Sequence, residues 1–143
     1  MISHKKAARI YKRAAELGDV EAKFHLACLY KNGKGVKMNE NKAMQLSREA
    51  ADGGHSNAQL CLGMELAREK INETAEGLNA REKASFRYIW LAANQGLTDA
   101  EYLLGHIYCS AEAKNVEQGK AWLSRAAAKG HEQAQARLAE LDA

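Results

Sequence analysis

Five histidine and cysteine side chains are the residues of this chain best suited to chemistry: His25, Cys28, Cys61, His106 and Cys109. His106 and Cys109 stand three residues apart, so on a helix they could share a zinc ion or form a nucleophile pair. A structural zinc site needs four ligands in recognisable pairs, and no second pair is present. A Cys–His nucleophile also needs an orienting group and an oxyanion hole, which nothing in the sequence supplies. The sequence therefore predicts no metal, no cofactor and no catalytic residue, with a thiol- or metal-dependent activity as the remote alternative.

The segment Gly33–Gly35 is the next candidate, because its Gly-Lys-Gly sequence is similar to a loop that cradles phosphate. It lacks the G-x-x-x-x-G-K-[ST] arrangement in which backbone N–H groups and a lysine surround the phosphates. We interpret the segment as a turn between two helices in which glycine supplies positive φ.

The composition predicts an all-α protein. The 143 residues contain no proline, and the good helix formers alanine, leucine, glutamate, lysine and arginine are abundant. The net charge of +3 comes from interleaved acids and bases, so we expect no nucleic-acid partner. No apolar run reaches membrane-spanning length, so we expect no membrane contact. The first six residues lack the apolar core of a secretory signal, and the three cysteines show no paired spacing. Together these features predict reduced thiols in a cytoplasmic protein.

A repeated motif identifies the elements that position these side chains. The pattern A-A-x-x-G-x-x-x-A occurs four times, beginning at Ala14, Ala50, Ala92 and Ala126, with steps of 36, 42 and 34 residues. Self-similarity near this period is typical of stacked helical hairpins. Downstream of each copy, alanine, leucine and tyrosine recur at helical spacing and mark a first kind of helix, helix A. Upstream lies a second kind, helix B.

The repeats predict eight helices in one domain spanning residues 1–143. Helix A is expected at 20–31, 56–68, 98–110 and 132–142, and helix B at 4–16, 39–52, 81–94 and 116–128. Ser3, Asn39 and Asn115 are expected to cap three of the B helices, and the recurring glycine to end each one. This gives half-repeats at 1–19 and 132–143 around full repeats at about 20–55, 56–97 and 98–131. An insertion of six residues in the second full repeat falls within 67–76.

The aligned residues resemble the Sel-1-like repeat, a relative of the tetratricopeptide repeat. The resemblance rests on Tyr30, Gly33-Lys34-Gly35-Val36, Asn39, Lys42-Ala43, Leu46, Ala50-Ala51, Gly54, Ala58 and Leu62-Gly63. It implies an α-solenoid, a right-handed superhelix of antiparallel helix pairs with a concave groove. Family members typically act as adaptors or scaffolds, which implies a non-enzymatic protein–protein interaction module. The alternative is a small cytoplasmic inhibitor or immunity-type protein that neutralises a partner effector.

In the related tetratricopeptide arrays, helix A lines the concave groove. Carried onto this chain, the groove positions are Phe24, Cys28, Lys31, Leu60, Met64, Tyr102, His106 and Cys109. A groove that carries aromatic residues and methionine suits an extended peptide or an amphipathic helix. In the alternative interpretation, Phe24 and Tyr102 only pack against helix A of the next repeat. We expect a protein or peptide ligand and favour a monomer.

Overall fold

A computed structural model describes residues 3–68, 75–110 and 115–143, with the backbone alone described at 75–79. Those ranges contain eight α-helices and no β-strand, which confirms the all-α prediction. The helices are α1 His4–Glu16, α2 Val20–Asn32, α3 Glu40–Asp52, α4 Ser56–Arg68, α5 Ala75–Asn94, α6 Thr98–Cys109, α7 Val116–Ala128 and α8 Glu132–Leu141. Even-numbered helices are the predicted A helices and odd-numbered helices are the predicted B helices.

The chain divides into two compact units, Met1–Glu65 and Leu66–Ala143. In the first unit, α2 packs against both α1 and α3; in the second, α6 packs against α5 and α7, and α7 against α8. Within each unit, these helices that follow one another along the chain are therefore neighbours in space, as the hairpin repeat predicts. The single-domain organisation stays a prediction.

The predicted helix ends are confirmed wherever local chemistry sets them. The side chains of Ser3, Asn39 and Asn115 accept hydrogen bonds from backbone N–H groups three residues later and cap α1, α3 and α7. The recurring glycine follows each B helix with φ between 89° and 98°, a conformation that costs glycine little. Gly33 and Gly35 also have positive φ, so the Gly-Lys-Gly segment is the turn that the sequence predicts.

The start of α5 differs from the prediction: the helix begins at Ala75 instead of residue 81. The repeat register assigned residues 75–80 to the loop, but helix formers such as Ala75 and Glu76 extend the helix backward. The rest of the predicted insertion, residues 69–74, lies outside the described residues.

Small residues bring the helices close together. Alanines at the repeat positions, including Ala50, Ala92 and Ala100, are fully buried, and Leu62, Ile89, Leu104 and Leu123 are the largest side chains with less than 2% exposure. In the second unit, Gly105 of α6 lies against Gly119 of α7: a Cβ on either glycine would come within 3.0 Å of the backbone oxygen of the other. Larger residues at these two positions would force α6 and α7 apart.

The core of the second unit contains a buried carboxylate, that of Glu101. Glu101 is 2% exposed, and its carboxylate accepts from the Lys129 ammonium at 2.8 Å. Lys129 also donates to the Gly96 carbonyl at 2.7 Å, so one ammonium joins α6 to the turn that follows α5. This pairing offsets the desolvation of the carboxylate.

Candidate protein-binding faces on the A helices

The first face, formed by α2 and α4, begins at an aromatic stack. The Phe24 ring lies on the His55 imidazole with centroids 4.6 Å apart and planes inclined by 25°. His55 Nδ1 accepts from the Ala58 backbone N–H at 3.1 Å, so the imidazole is the N-cap of α4. Phe24 is half-buried in this stack. One side chain therefore connects the helix A of one repeat to the start of the next.

An exposed ion pair forms the other end of this face. Lys31 Nζ of α2 lies 2.8 Å from Glu65 Oε1 of α4. Cys28 lies one turn before Lys31, and Cys61 lies one turn before Glu65. The two thiols therefore occupy the middle of the face, between the stack and the ion pair. Met64, on α4, is 39% exposed beside them.

The surroundings of the two thiols raise the pKa of both. Burial raises the pKa of Cys28, and the ammonium of Lys31 opposes that rise. Burial also raises the pKa of Cys61, with further contributions from Cys28 and Glu65. Reactive cysteines require a lowered pKa, because the thiolate is the attacking species. Neither thiol has a pKa lowered in this way.

The second face repeats the arrangement on α6 and α8. The Tyr102 ring lies on the His131 imidazole at 4.5 Å with planes inclined by 20°. His131 Nδ1 caps α8 by accepting from the Ala134 N–H at 3.1 Å, while its Nε2 lies 3.4 Å from Asp99 Oδ1. His106 is exposed one turn beyond Tyr102, with ring centroids 6.3 Å apart. Both units therefore present the same aromatic–histidine stack.

Two of the predicted groove residues pack their side chains largely inside the fold. Leu60 is only 9% exposed. Cys109 is half-buried against the core around Leu123, where its sulfur faces Gly119 of α7. The repeat register treats every helix A alike, whereas burial depends on the neighbour that each helix meets. Among the described residues, no three histidine, cysteine or acidic side chains come close enough to hold a metal ion.

Sequence reasoning missed the capping histidines. Asp19, His55 and His131 each stand three residues before the alanine that ends a copy of the repeated motif, and they cap helices α2, α4 and α8. Asp19 has a preferred capping side chain, but imidazole is not among the usual ones. Their shared offset from this alanine was the signal that could have identified all three.

The His55 cap of α4 is expected to make the stability of the first unit depend on pH. Burial lowers the pKa of His55; the carboxylate of Glu21 opposes this shift and the imidazole of His25 adds to it. Below about pH 6.5 the unfolded chain takes up a proton at His55 before the folded chain does. We therefore expect the free energy of unfolding to fall as pH decreases from about 6.5 toward the folded-state pKa.

Urea unfolding, followed by far-UV circular dichroism above and below about pH 6.5, measures the effect. His55→Asn keeps a capping acceptor without the titration, so it should flatten the pH dependence, whereas His4→Asn on the exposed first turn of α1 should not. Equal pH dependence in the wild type and His55→Asn would contradict the role assigned to this cap.

Comparison with known proteins decides the family. The sequence model of the Sel1 repeat matches residues 3–19, 20–55 and 98–131, well over half of the chain. The chain belongs to the Sel1 repeat family. None of the helices within the described ranges is long and apolar enough to cross a membrane.

Two solved structures share the Sel1 repeat fold. A Sel1 repeat protein from Oxalobacter formigenes is 34% identical with a TM-score of 0.78, over 92% of this chain and 96% of that one. A protective antigen of uropathogenic Escherichia coli with an SLR fold is 33% identical with a TM-score of 0.77, over 97% of this chain and 29% of that one.

Two longer proteins with regulatory names also match the sequence. The exopolysaccharide production negative regulator of Rhizobium meliloti is 29% identical over 136 residues, which include 87% of this chain. Chitin synthase regulatory factor 4 of Schizosaccharomyces pombe is 28% identical over 137 residues, which include 95% of this chain. The matches cover 50% of the first relative and 20% of the second, so this Sel1 repeat chain corresponds to part of each.

Proposed function

We propose that the chain is a non-enzymatic protein-interaction module whose A-helix faces bind a protein or peptide. The observation that carries the proposal is the recurrence of an aromatic–histidine stack in both units, with an exposed Met64 on α4 in the first unit and an exposed His106 on α6 in the second. The stack holds the capping histidine, and with it the first turn of α4 or α8, in one conformation. A surface ordered before binding loses less conformational entropy when a partner docks.

The side chains of the first face suggest the kind of ligand. Met64 offers an adaptable apolar contact, and the Lys31–Glu65 pair beside it offers both signs of charge. This combination suits an amphipathic helix or an extended peptide with one apolar anchor and polar flanks. On the second face, His106 and the half-buried Tyr102 would provide the corresponding contacts.

The relatives support a binding role. Both longer proteins carry names that describe regulation, namely of exopolysaccharide production and of chitin synthase. Regulators commonly act through protein contacts, for which a helical repeat array is well suited. The processes named for those proteins are not assigned to this chain, because it matches only part of each.

Charge substitutions on the two faces test the proposal. We expect Met64→Lys and His106→Glu each to reduce the amount of partner captured from native lysate at least about tenfold, as expected for loss of a central contact worth more than about 1.4 kcal/mol. Both side chains are exposed, so the far-UV circular dichroism should stay unchanged.

Ile10→Lys is the matched control, because it places a lysine on an exposed apolar position of helix α1, outside both faces. It should leave partner capture at the wild-type level. Capture that survives both face variants, or that falls equally with Ile10→Lys, would contradict the assignment of the A-helix faces.

A further inference from the structure

A basic pocket lies in the first unit, between α1, the end of α2 and the start of α3. It has a volume of about 400 Å³ and is lined by Lys12, Tyr30, Val36, Lys37, Met38, Asn39 and Lys42. Three of these side chains are lysines and none is a carboxylate. The pocket is separate from the A-helix face, since no groove residue lines it.

Tyr30 forms the floor and holds two of the ammonium groups in place. Its side chain is 6% exposed. The Nζ atoms of Lys42 and Lys12 lie 5.2 Å and 6.0 Å from the ring centroid, within or at the limit of cation–π range. Two lysines from different helices, α1 and α3, therefore converge over one ring.

The positive charge of the pocket is not neutralised by ion pairs among the described residues. Within the described part of the chain, no ion pair joins Lys12, Lys37 or Lys42 to an acidic side chain. Like charges that share a small space repel one another. A negative ligand at this position would remove the repulsion and gain three charge-assisted contacts.

The repeat itself does not require these lysines. Tyr108 occupies the position of Tyr30 in the second unit, and Asn115 caps α7 as Asn39 caps α3. There the position of Lys12, two residues before the double alanine, is Trp90. The position of Lys42, three residues after the capping asparagine, is Gln118. The second unit thus carries neither of these two lysines on α5 or α7, so the repeat does not require positive charge at either position.

We propose that the basic pocket binds a small oxyanion carrying several negative charges, of the phosphate or polycarboxylate class. Its volume lies within the range of about 300–1,000 Å³ typical of small-molecule sites. Lysine acts as a compact point charge, which suits phosphate and carboxylate oxygens approaching from different directions. The turn at Gly33–Gly35 contributes by leading the chain into the wall of the pocket at Val36 and Lys37.

Titration with pyrophosphate, and separately with citrate, tests the proposal at about 0.15 M salt, where weak surface attraction is screened. Backbone amide shifts by NMR and heat by calorimetry are the readouts. We expect saturable binding of at least one oxyanion, with shifts around Tyr30 and residues 36–42. The stronger ligand distinguishes a phosphate from a carboxylate source.

The pocket variant is Lys12→Gln with Lys42→Gln, and the control is Lys5→Gln with Arg48→Gln, which removes the same charge from exposed positions outside the pocket. We expect the pocket variant to raise the dissociation constant at least about tenfold and the control less than about twofold. Equal weakening by both variants would overturn the site in favour of general attraction to a basic protein. Binding of a glutamate-rich peptide without binding of either small oxyanion would also overturn it.

Discussion

Leu123→Ala is expected to lower the free energy of unfolding of the second unit by about 3 kcal/mol. Leu123 is fully buried on α7 in a cluster with Ala126 and Ala134, and the half-buried Tyr102 and Leu138 pack against this cluster. Truncation removes apolar contacts and leaves a cavity that two neighbouring alanines are too small to fill. This is the largest stability effect that we expect from a single truncation.

Urea unfolding followed by tryptophan fluorescence isolates this effect. Trp90 and Trp122, the two tryptophans of the chain, both belong to the second unit, so the signal reports on that unit alone. Leu123→Met conserves volume and should cost less than about 1.5 kcal/mol. A loss below about 1 kcal/mol for Leu123→Ala would mean that α6, α7 and α8 do not share the tight core described for them.

Gly105→Ala is expected to destabilise the protein by about 1–2 kcal/mol, opposite in sign to helix propensity. On an isolated helix this change would gain about 1 kcal/mol. In α6, however, the new Cβ would lie 2.8 Å from Leu123 Cγ and 3.0 Å from the Gly119 carbonyl oxygen. The backbone oxygen cannot move away without separating α6 from α7, so the clash exceeds the gain in propensity.

A control and a double variant make this prediction specific. Ala121→Gly, at an exposed position of α7, should also lose about 1 kcal/mol, because propensity alone acts there. Leu123→Ala removes one of the two clashing groups, so its combination with Gly105→Ala should cost less than the sum of the single changes. A stabilising Gly105→Ala variant would contradict the close helix crossing.

The helices were predictable because their signals are local and repeated. Four copies of one motif fixed the register, and Ser3, Asn39 and Asn115 marked helix starts through hydrogen bonds within a single turn. The start of α5 was missed because an insertion broke the register before Arg81. Where the period changes, helix propensity decides the boundary and the repeat no longer does.

The candidate faces were only partly predictable. Register placed Phe24 and Tyr102 on the A helices, but their stacking partners are histidines that follow one helix pair later. The burial of Glu101 was equally hidden, because its compensating cation, Lys129, stands 28 residues away. Contacts of this kind depend on how one repeat stacks on the next, which the period indicates only in outline.

The most direct test of the binding proposal is site-specific photo-cross-linking in native lysate. A photoreactive residue at position 64 or 106 samples the two A-helix faces, and one at position 10 samples exposed surface on helix α1. The account predicts a discrete protein adduct from positions 64 and 106 and none from position 10. The same adduct from position 10, with none from the A-helix positions, would contradict it.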